Sequence, residues 1–198
     1  MVEKWVIIGL GNPGDKFHNT RHNLGFWFLD LLARKQNLKF KLSKTHHAYF
    51  TSMHFCKKKI YLVKPDTFMN ESGRYLSSLL SFFNCSSENV ILIHDELTLP
   101  LGNLKISKNK GAGGHNGVAS VISSIGNSLI RFRLGIGSKP FDQMKLSDFV
   151  LSKFSKPELC LLENQKESFL NAIYSIFENG LSSTMNFINQ TTRSQQPL

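Results

Sequence analysis

Apolar residues along this chain fall into short continuous runs alternating with helical stripes. Residues 6–10, VIIGL, form an apolar run interrupted only by glycine, which predicts a buried strand. Leu24, Trp27, Phe28, Leu31 and Leu32 recur three and four apart and predict an amphipathic helix over about 23–36. A basic loop with Lys39, Lys41 and Lys44 follows. Residues 49–55 and 60–63 read as two strands joined by Cys56, Lys57, Lys58 and Lys59. Leu76, Leu79, Leu80 and Phe83 mark a second helix, and residues 90–93 a buried strand ending at His94 and Asp95.

Ile106 closes another short strand, and residues 111–117 form a glycine-rich loop. Val118, Val121, Ile122 and Ile125 predict a third helix, and residues 131–137 a further strand. A long helix follows Pro157, with Leu162, Phe169, Ile173, Ile176 and Phe177 on its apolar side. A last helix over 181–188 fades into a polar tail, TTRSQQPL. Strands alternating with helices predict an α/β fold: a three-layer sandwich with a mixed, mostly parallel twisted sheet flanked by helices. One domain is expected over residues 1–190, followed by the polar tail 191–198.

Glycines give the first chemical clue. Gly9, Gly11 and Gly14 spell G-x-G-x-x-G directly after a strand, the pattern of a dinucleotide site. Such a site needs a helix opening at the glycines and an acidic residue ending a second strand. Here the helical stripe begins about nine residues later, and Asp30 lies inside it. The glycines are better read as letting the backbone turn and approach a ligand. Asn12, His22, Asn70, Asp95, His115 and Asn116 all fall just past strand ends or at helix starts. Singly, each has an ordinary explanation: a helix cap, a turn, a surface group. Together, at the carboxyl edge of one sheet, they form a candidate site.

Charge narrows the partner. Lys plus Arg number 24 against 14 Asp plus Glu, a formal net charge of +10. That excess draws polyanions, nucleic acid first and acidic membrane surfaces second. The uncharged stretch 111–130 is too rich in Gly, Ser and Asn to span a bilayer. Cys56, Cys85 and Cys160 are scattered and odd in number, so neither a disulfide framework nor a zinc knuckle is indicated. The N-terminus lacks the features of a signal peptide, and a cytoplasmic location is expected.

Six ordered blocks carry a resemblance: GLGNPG (9–14), TRHNLGFWFLD (20–30), KPDTFMNESG (64–73), HDELTLPLG (94–102), GAGGHNG (111–117) and RFRLGIG (131–137). From about Trp5 to Asn186 the chain is similar to bacterial peptidyl-tRNA hydrolases. The resemblance implies hydrolysis of the ester joining tRNA to the C-terminal residue of a peptide. This recycles tRNA from peptides that leave the ribosome early. It implies His22 as catalytic base, Asp95 as its partner, and Asn12 separating blocked from free aminoacyl ends. Asn70 and Asn116 would bind the peptide and the 3′ CCA end, with Phe68 beside them. Lys105, Lys108 and Arg133 would clamp phosphates of the acceptor end. Residues 140–155 would form a lid. Phe17 stands where the family usually has tyrosine, so the ring is kept as a contact and a hydroxyl is lost. Ser107 stands where relatives often carry a lysine.

The chemistry agrees with those roles. A neutral imidazole can take a proton from water, and a carboxylate on its other nitrogen fixes the tautomer. No cofactor is expected, nor a metal, since His22, His115 and Asp95 are read as lacking zinc-type grouping. The expected enzyme is a monomer. The alternative from another class is a non-catalytic RNA-binding protein on the same scaffold. Retention of His22, Asp95 and Asn12 together disfavours it.

Overall fold

The computed structural model describes residues 2–139 and 143–194, with 191–194 by backbone alone. Seven strands form one sheet: β1 Lys4–Gly9, β2 Lys41–Ser43, β3 Ala48–Phe55, β4 Lys58–Pro65, β5 Val90–Glu96, β6 Leu104–Lys108 and β7 Ile130–Gly135. Their order is β2-β3-β4-β1-β5-β7-β6. The neighbours β4, β1, β5 and β7 run parallel, while β2, β3 and β6 add antiparallel margins. The sheet is therefore mixed, parallel where it is buried on both faces. Val6, Ile7 and Ile8 in β1 are fully buried, which is what a central strand demands.

Helices cover both faces. On one side lie α1 Leu24–Lys35, α4 Leu146–Leu151, α5 Lys156–Glu178 and α6 Leu181–Ser194. Phe28 of α1, Phe132 of β7 and Phe169 of α5 meet there, each fully or almost fully buried. Burial of one such side chain is worth roughly 1.5–3 kcal/mol. On the other side, α2 Leu76–Phe83 and α3 Asn116–Ile125 pack over Val6, Ile8, Val90 and Leu92. The three-layer α/β architecture expected from the sequence is present.

Several boundaries differ from expectation. Strand β2 and helix α4 carry too few residues to show a period, and the sequence reading left both out. Helix α6 continues to Ser194, so the first part of the expected tail is helical. Residues 195–198 lie outside the described residues, as do 140–142 of the expected lid. The polar margin strand β6 is closed off by α6: the Asn189 side chain accepts from Ile106 N–H at 3.0 Å and donates to Ile106 O at 2.9 Å. This occupies backbone groups that an open strand edge would expose.

Candidate active site

Register brings the polar residues together. Gly9 of β1 pairs with Ile93 of β5, and Leu10 N–H donates to Ile93 O at 2.9 Å. Asn12 and the His94–Asp95 end of β5 therefore emerge side by side. The 3-10 turn Arg21–Asn23 then lies across both, because α1 approaches the sheet at Gly25. A Cβ on Gly25 would overlap Leu10 N and Ile93 O. Gly9 and Gly11 serve the same approach: Cβ atoms there would strike Gly25 O and the Phe26 ring. This corrects the view that the glycine motif lets backbone approach a ligand. Gly9 and Gly11 are filled by α1, Gly14 faces open space at positive φ, and no α-helix opens there.

His22 Nδ1 lies 3.0 Å from both carboxylate oxygens of Asp95. An ionised carboxylate only accepts, so Nδ1 carries a proton, and in the neutral ring Nε2 keeps its lone pair. Among the described residues Nε2 has no hydrogen-bond partner, and the ring is slightly exposed. Asp95 is 3% exposed. Burial alone would raise its carboxyl, but the rings of His115 and His22 outweigh it and hold it well below the usual carboxylate range.

Asn12 is 6% exposed and fixed from three sides. Its backbone N–H donates to Asn23 Oδ1 at 2.8 Å, and its carbonyl accepts from Asn23 Nδ2 at 2.9 Å. Its own Oδ1 accepts from Met69 N–H at 2.8 Å. That fixes the amide orientation. The Nδ2 donors have no protein partner among the described residues. Phe17 and Phe68 meet edge to face with ring centroids 6.4 Å apart, and Phe68 is 54% exposed. Asn70 lies in the turn Met69–Glu71, and Asn116 is the first residue of α3. Both are exposed, on elements packed so closely that a Cβ on Gly117 would overlap the Met69 sulfur. Neither caps a helix. The cap of α3 is His115, whose Nδ1 accepts from Val118 N–H at 3.3 Å.

Three residues of the site escaped the sequence reading of its roles. His115 Nε2 lies 2.9 Å from Asp95 Oδ1. His94 is fully buried; burial first, then His115 and Arg131, push its pKa well below the ordinary imidazole value. Its Nδ1–H donates to Asp95 O at 2.6 Å, and its Nε2 accepts from Arg131 Nε–H at 3.0 Å. Arg131 also donates to Gly111 O, tying the glycine-rich loop to the strand end.

Arg21 is the third. Its guanidinium stacks on Phe149 and Phe154 at 4.6 and 4.9 Å, pairs with Glu158, and donates to Lys153 O at 2.9 Å. It therefore anchors the segment after α4 to the turn that carries His22. Arg21→Ala should destabilise the fold by about 1–3 kcal/mol, since one truncation removes a buried side chain stacked on two rings and its bonds to the partly buried Ser152 and Glu158. Urea unfolding of parent and variant measures this; a change below about 0.5 kcal/mol would mean the anchor is dispensable.

The expectation that His22, Asp95 and His115 lack a zinc-type grouping is corrected by the structure. One ligand atom each from His22, Asp95 and His115 lies within 4.8 Å of the others. Those atoms are already joined through protons, Nδ1–H and Nε2–H onto the carboxylate, which a cation would have to displace.

Lys105, Lys108, Lys110, Arg131 and Arg133 line a groove beside the glycine loop, with Glu96 as the carboxylate among them. Lys105 and Arg133 are register partners on β6 and β7. Arg133 Nε donates to Glu96 at 2.8 Å, whereas Lys105 and Lys108 form no ion pair among the described residues.

An imidazole backed by a buried carboxylate can turn water into a nucleophile, and no thiol competes. Cys56 and Cys160 are exposed elsewhere, and Cys85 donates to Lys4 O at the far end of β1. A three-layer α/β fold with a histidine–carboxylate pair at the carboxyl edge of its parallel strands is an arrangement suited to a hydrolase. A family model described as peptidyl-tRNA hydrolase matches residues 6–196. A peptidyl-tRNA hydrolase of Fervidobacterium nodosum is 41% identical over 93% of this chain and 95% of its own. The crystal structure of peptidyl-tRNA hydrolase from Acinetobacter baumannii superposes with a TM-score of 0.87 at 31% identity, covering 96% of each chain. A peptidyl-tRNA hydrolase solved with n-propanol gives 0.86 at 32% identity, over 93% of this chain and 94% of that one. The chain belongs to the peptidyl-tRNA hydrolase family, and its activity is hydrolysis of peptidyl-tRNA. Among the described residues no helix is long and apolar enough to cross a membrane.

Proposed function

We propose that His22 is the general base of this hydrolysis and Asp95 the group that fixes its tautomer. The observation that carries this reading is His22 Nδ1 held on Asp95, with Nε2 open at the sheet edge where Asn12 presents free amide donors. Water gives a proton to His22 Nε2 as its oxygen attacks the ester carbonyl carbon. The tetrahedral intermediate carries an oxyanion, and the pre-oriented Asn12 amide is a donor suited to it or to the neighbouring peptide carbonyl. Collapse breaks the bond to the ribose oxygen of tRNA, which takes back the proton from His22. The products are tRNA and the free peptide, whose new carboxyl group loses its proton to solvent.

Asn70 and Asn116 hold the peptide backbone and the 3′ CCA end. Their amides both donate and accept, so they need not read side chains. Phe17 and Phe68 supply flat apolar surface beside them. Phe17 does this without the hydroxyl of the usual tyrosine. Lys105 and Lys108 take acceptor-end phosphates first; Arg133 joins by sharing or leaving Glu96. The enzyme works in the cytoplasm as a monomer without a metal or cofactor.

Purified protein should release N-acetyl-amino acid from tRNA in the presence of EDTA and leave unblocked aminoacyl-tRNA intact. Tight tRNA binding without release would instead favour the non-catalytic RNA-binding reading. Salt gives an independent check of the groove. With three phosphate contacts, log affinity should fall against log salt with a slope of roughly −2 to −3. A KM unchanged across a wide range of ionic strength would contradict the phosphate assignment.

A further inference from the structure

We propose that His115 is a positioning residue for Asp95, holding its carboxylate ionised and aimed at His22; this rests on the general-base reading of His22. The two nitrogens of His115 are both committed. Nδ1 faces Val118 N–H, a donor, at 3.3 Å, so Nδ1 must be the unprotonated nitrogen. Nε2 therefore carries the proton and donates it to Asp95 Oδ1 at 2.9 Å. The start of α3 thus selects the tautomer that Asp95 needs.

Asp95 sits between two imidazole donors, His22 on one side and His115 on the other. Two further titratable rings face His115: His22, 4.8 Å away centroid to centroid, and His94, 5.0 Å away and edge on, itself held neutral between Asp95 O and Arg131. Take away the Nε2 proton of His115 and a carboxylate that is 3% exposed keeps a single donor. Burial then favours its protonation and frees it to rotate. A protonated or rotated carboxyl no longer holds His22 in the accepting tautomer.

His115 also caps α3, and two substitutions separate the jobs. Asparagine reproduces the Nδ1 end of histidine, so His115→Asn keeps an acceptor for Val118 N–H but cannot reach Asp95. Glutamine reproduces the Nε2 end, so His115→Gln keeps a donor to Asp95 and weakens the cap. His115→Asn should lower kcat roughly tenfold to a hundredfold, the range for losing one hydrogen bond to a buried charge. Its KM should stay within about threefold and its Tm close to the parent's, because ground-state contacts are kept. Its rate should also fall away at higher pH than the parent's on the acid side. His115→Gln should recover most of kcat despite a lower Tm.

Parent-like kcat in His115→Asn overturns the proposal, as does His115→Gln being as slow as His115→Asn. If His115→Asn does not fold, His115→Gln decides alone: retained kcat supports the proposal, and a tenfold loss overturns it. His22→Ala assayed in parallel tells this failure from the other. A fully active His22→Ala removes the general-base reading itself, whatever His115 does.

Discussion

His22→Ala should lose turnover by roughly 10²–10⁴-fold, the usual worth of a positioned general base, while binding tRNA within about threefold of the parent. The asymmetry follows from placement. His22 is only slightly exposed, and its committed contact is with Asp95 rather than with any residue of the basic groove. Its lone pair gains its value when water begins to lose a proton, so the loss falls on kcat. Truncation also leaves Asp95 with His115 as its remaining ring donor, which keeps the carboxylate in place. Single-turnover hydrolysis of N-acetyl-aminoacyl-tRNA, beside equilibrium binding of deacylated tRNA, separates the two quantities. Parent-rate hydrolysis by His22→Ala would assign the base elsewhere.

Asp95→Asn should cost at least as much, roughly 10³–10⁴-fold in kcat, with little change in fold. The argument is a proton count. Asp95 accepts from both rings, while an amide in its place can accept on one side and must donate on the other. His115 cannot turn acceptor at Nε2, since Val118 N–H holds its Nδ1 as the acceptor. The amide oxygen therefore stays with His115, and the amide N–H₂ takes the other carboxylate position, also 3.0 Å from His22 Nδ1. His22 Nδ1 loses one of its two acceptors to a donor, which favours the tautomer with the proton on Nε2, and the group meant to take a proton from water then already bears one. A variant within threefold of the parent would show that the tautomer is not set by Asp95.

Much of the scaffold is legible in the sequence because its signals are strong. The unbroken run through Val6 and Ile8 and the four-residue repeat of Leu24, Phe28 and Leu32 appear as β1 and α1. The turn between β3 and β4 is legible at Cys56 and Lys57, both at positive φ, but Lys58 and Lys59, expected in the connection, already belong to β4. Strand β2 escaped because it is short and exposed, with no alternation to read. The glycine motif misled for a physical reason. Glycine marks close approach, and sequence does not say whether the partner is a ligand or, as here, the backbone of α1.

The candidate site was legible in its parts but not in its assembly. His22 and Asp95 are 73 residues apart, and nothing in periodicity or charge joins them. Six motif blocks did, through resemblance. His115 was visible as a polar residue, but its role depends on two partners at once, Val118 N–H and Asp95. An imidazole capping a helix has no familiar sequence mark, whereas Asn116 beside it invites the wrong assignment as the cap. Arg21 was passed over for the same reason, since Phe149, Phe154 and Glu158 lie far along the chain.

Nitrogen-15 NMR of histidine-labelled protein at neutral pH reads the decisive proton directly. The account predicts His22 protonated at Nδ1, with an unprotonated Nε2, in a resonance that Asp95→Asn converts to the opposite tautomer. A parent His22 that carries its proton on Nε2 would leave water without an acceptor and contradict the account.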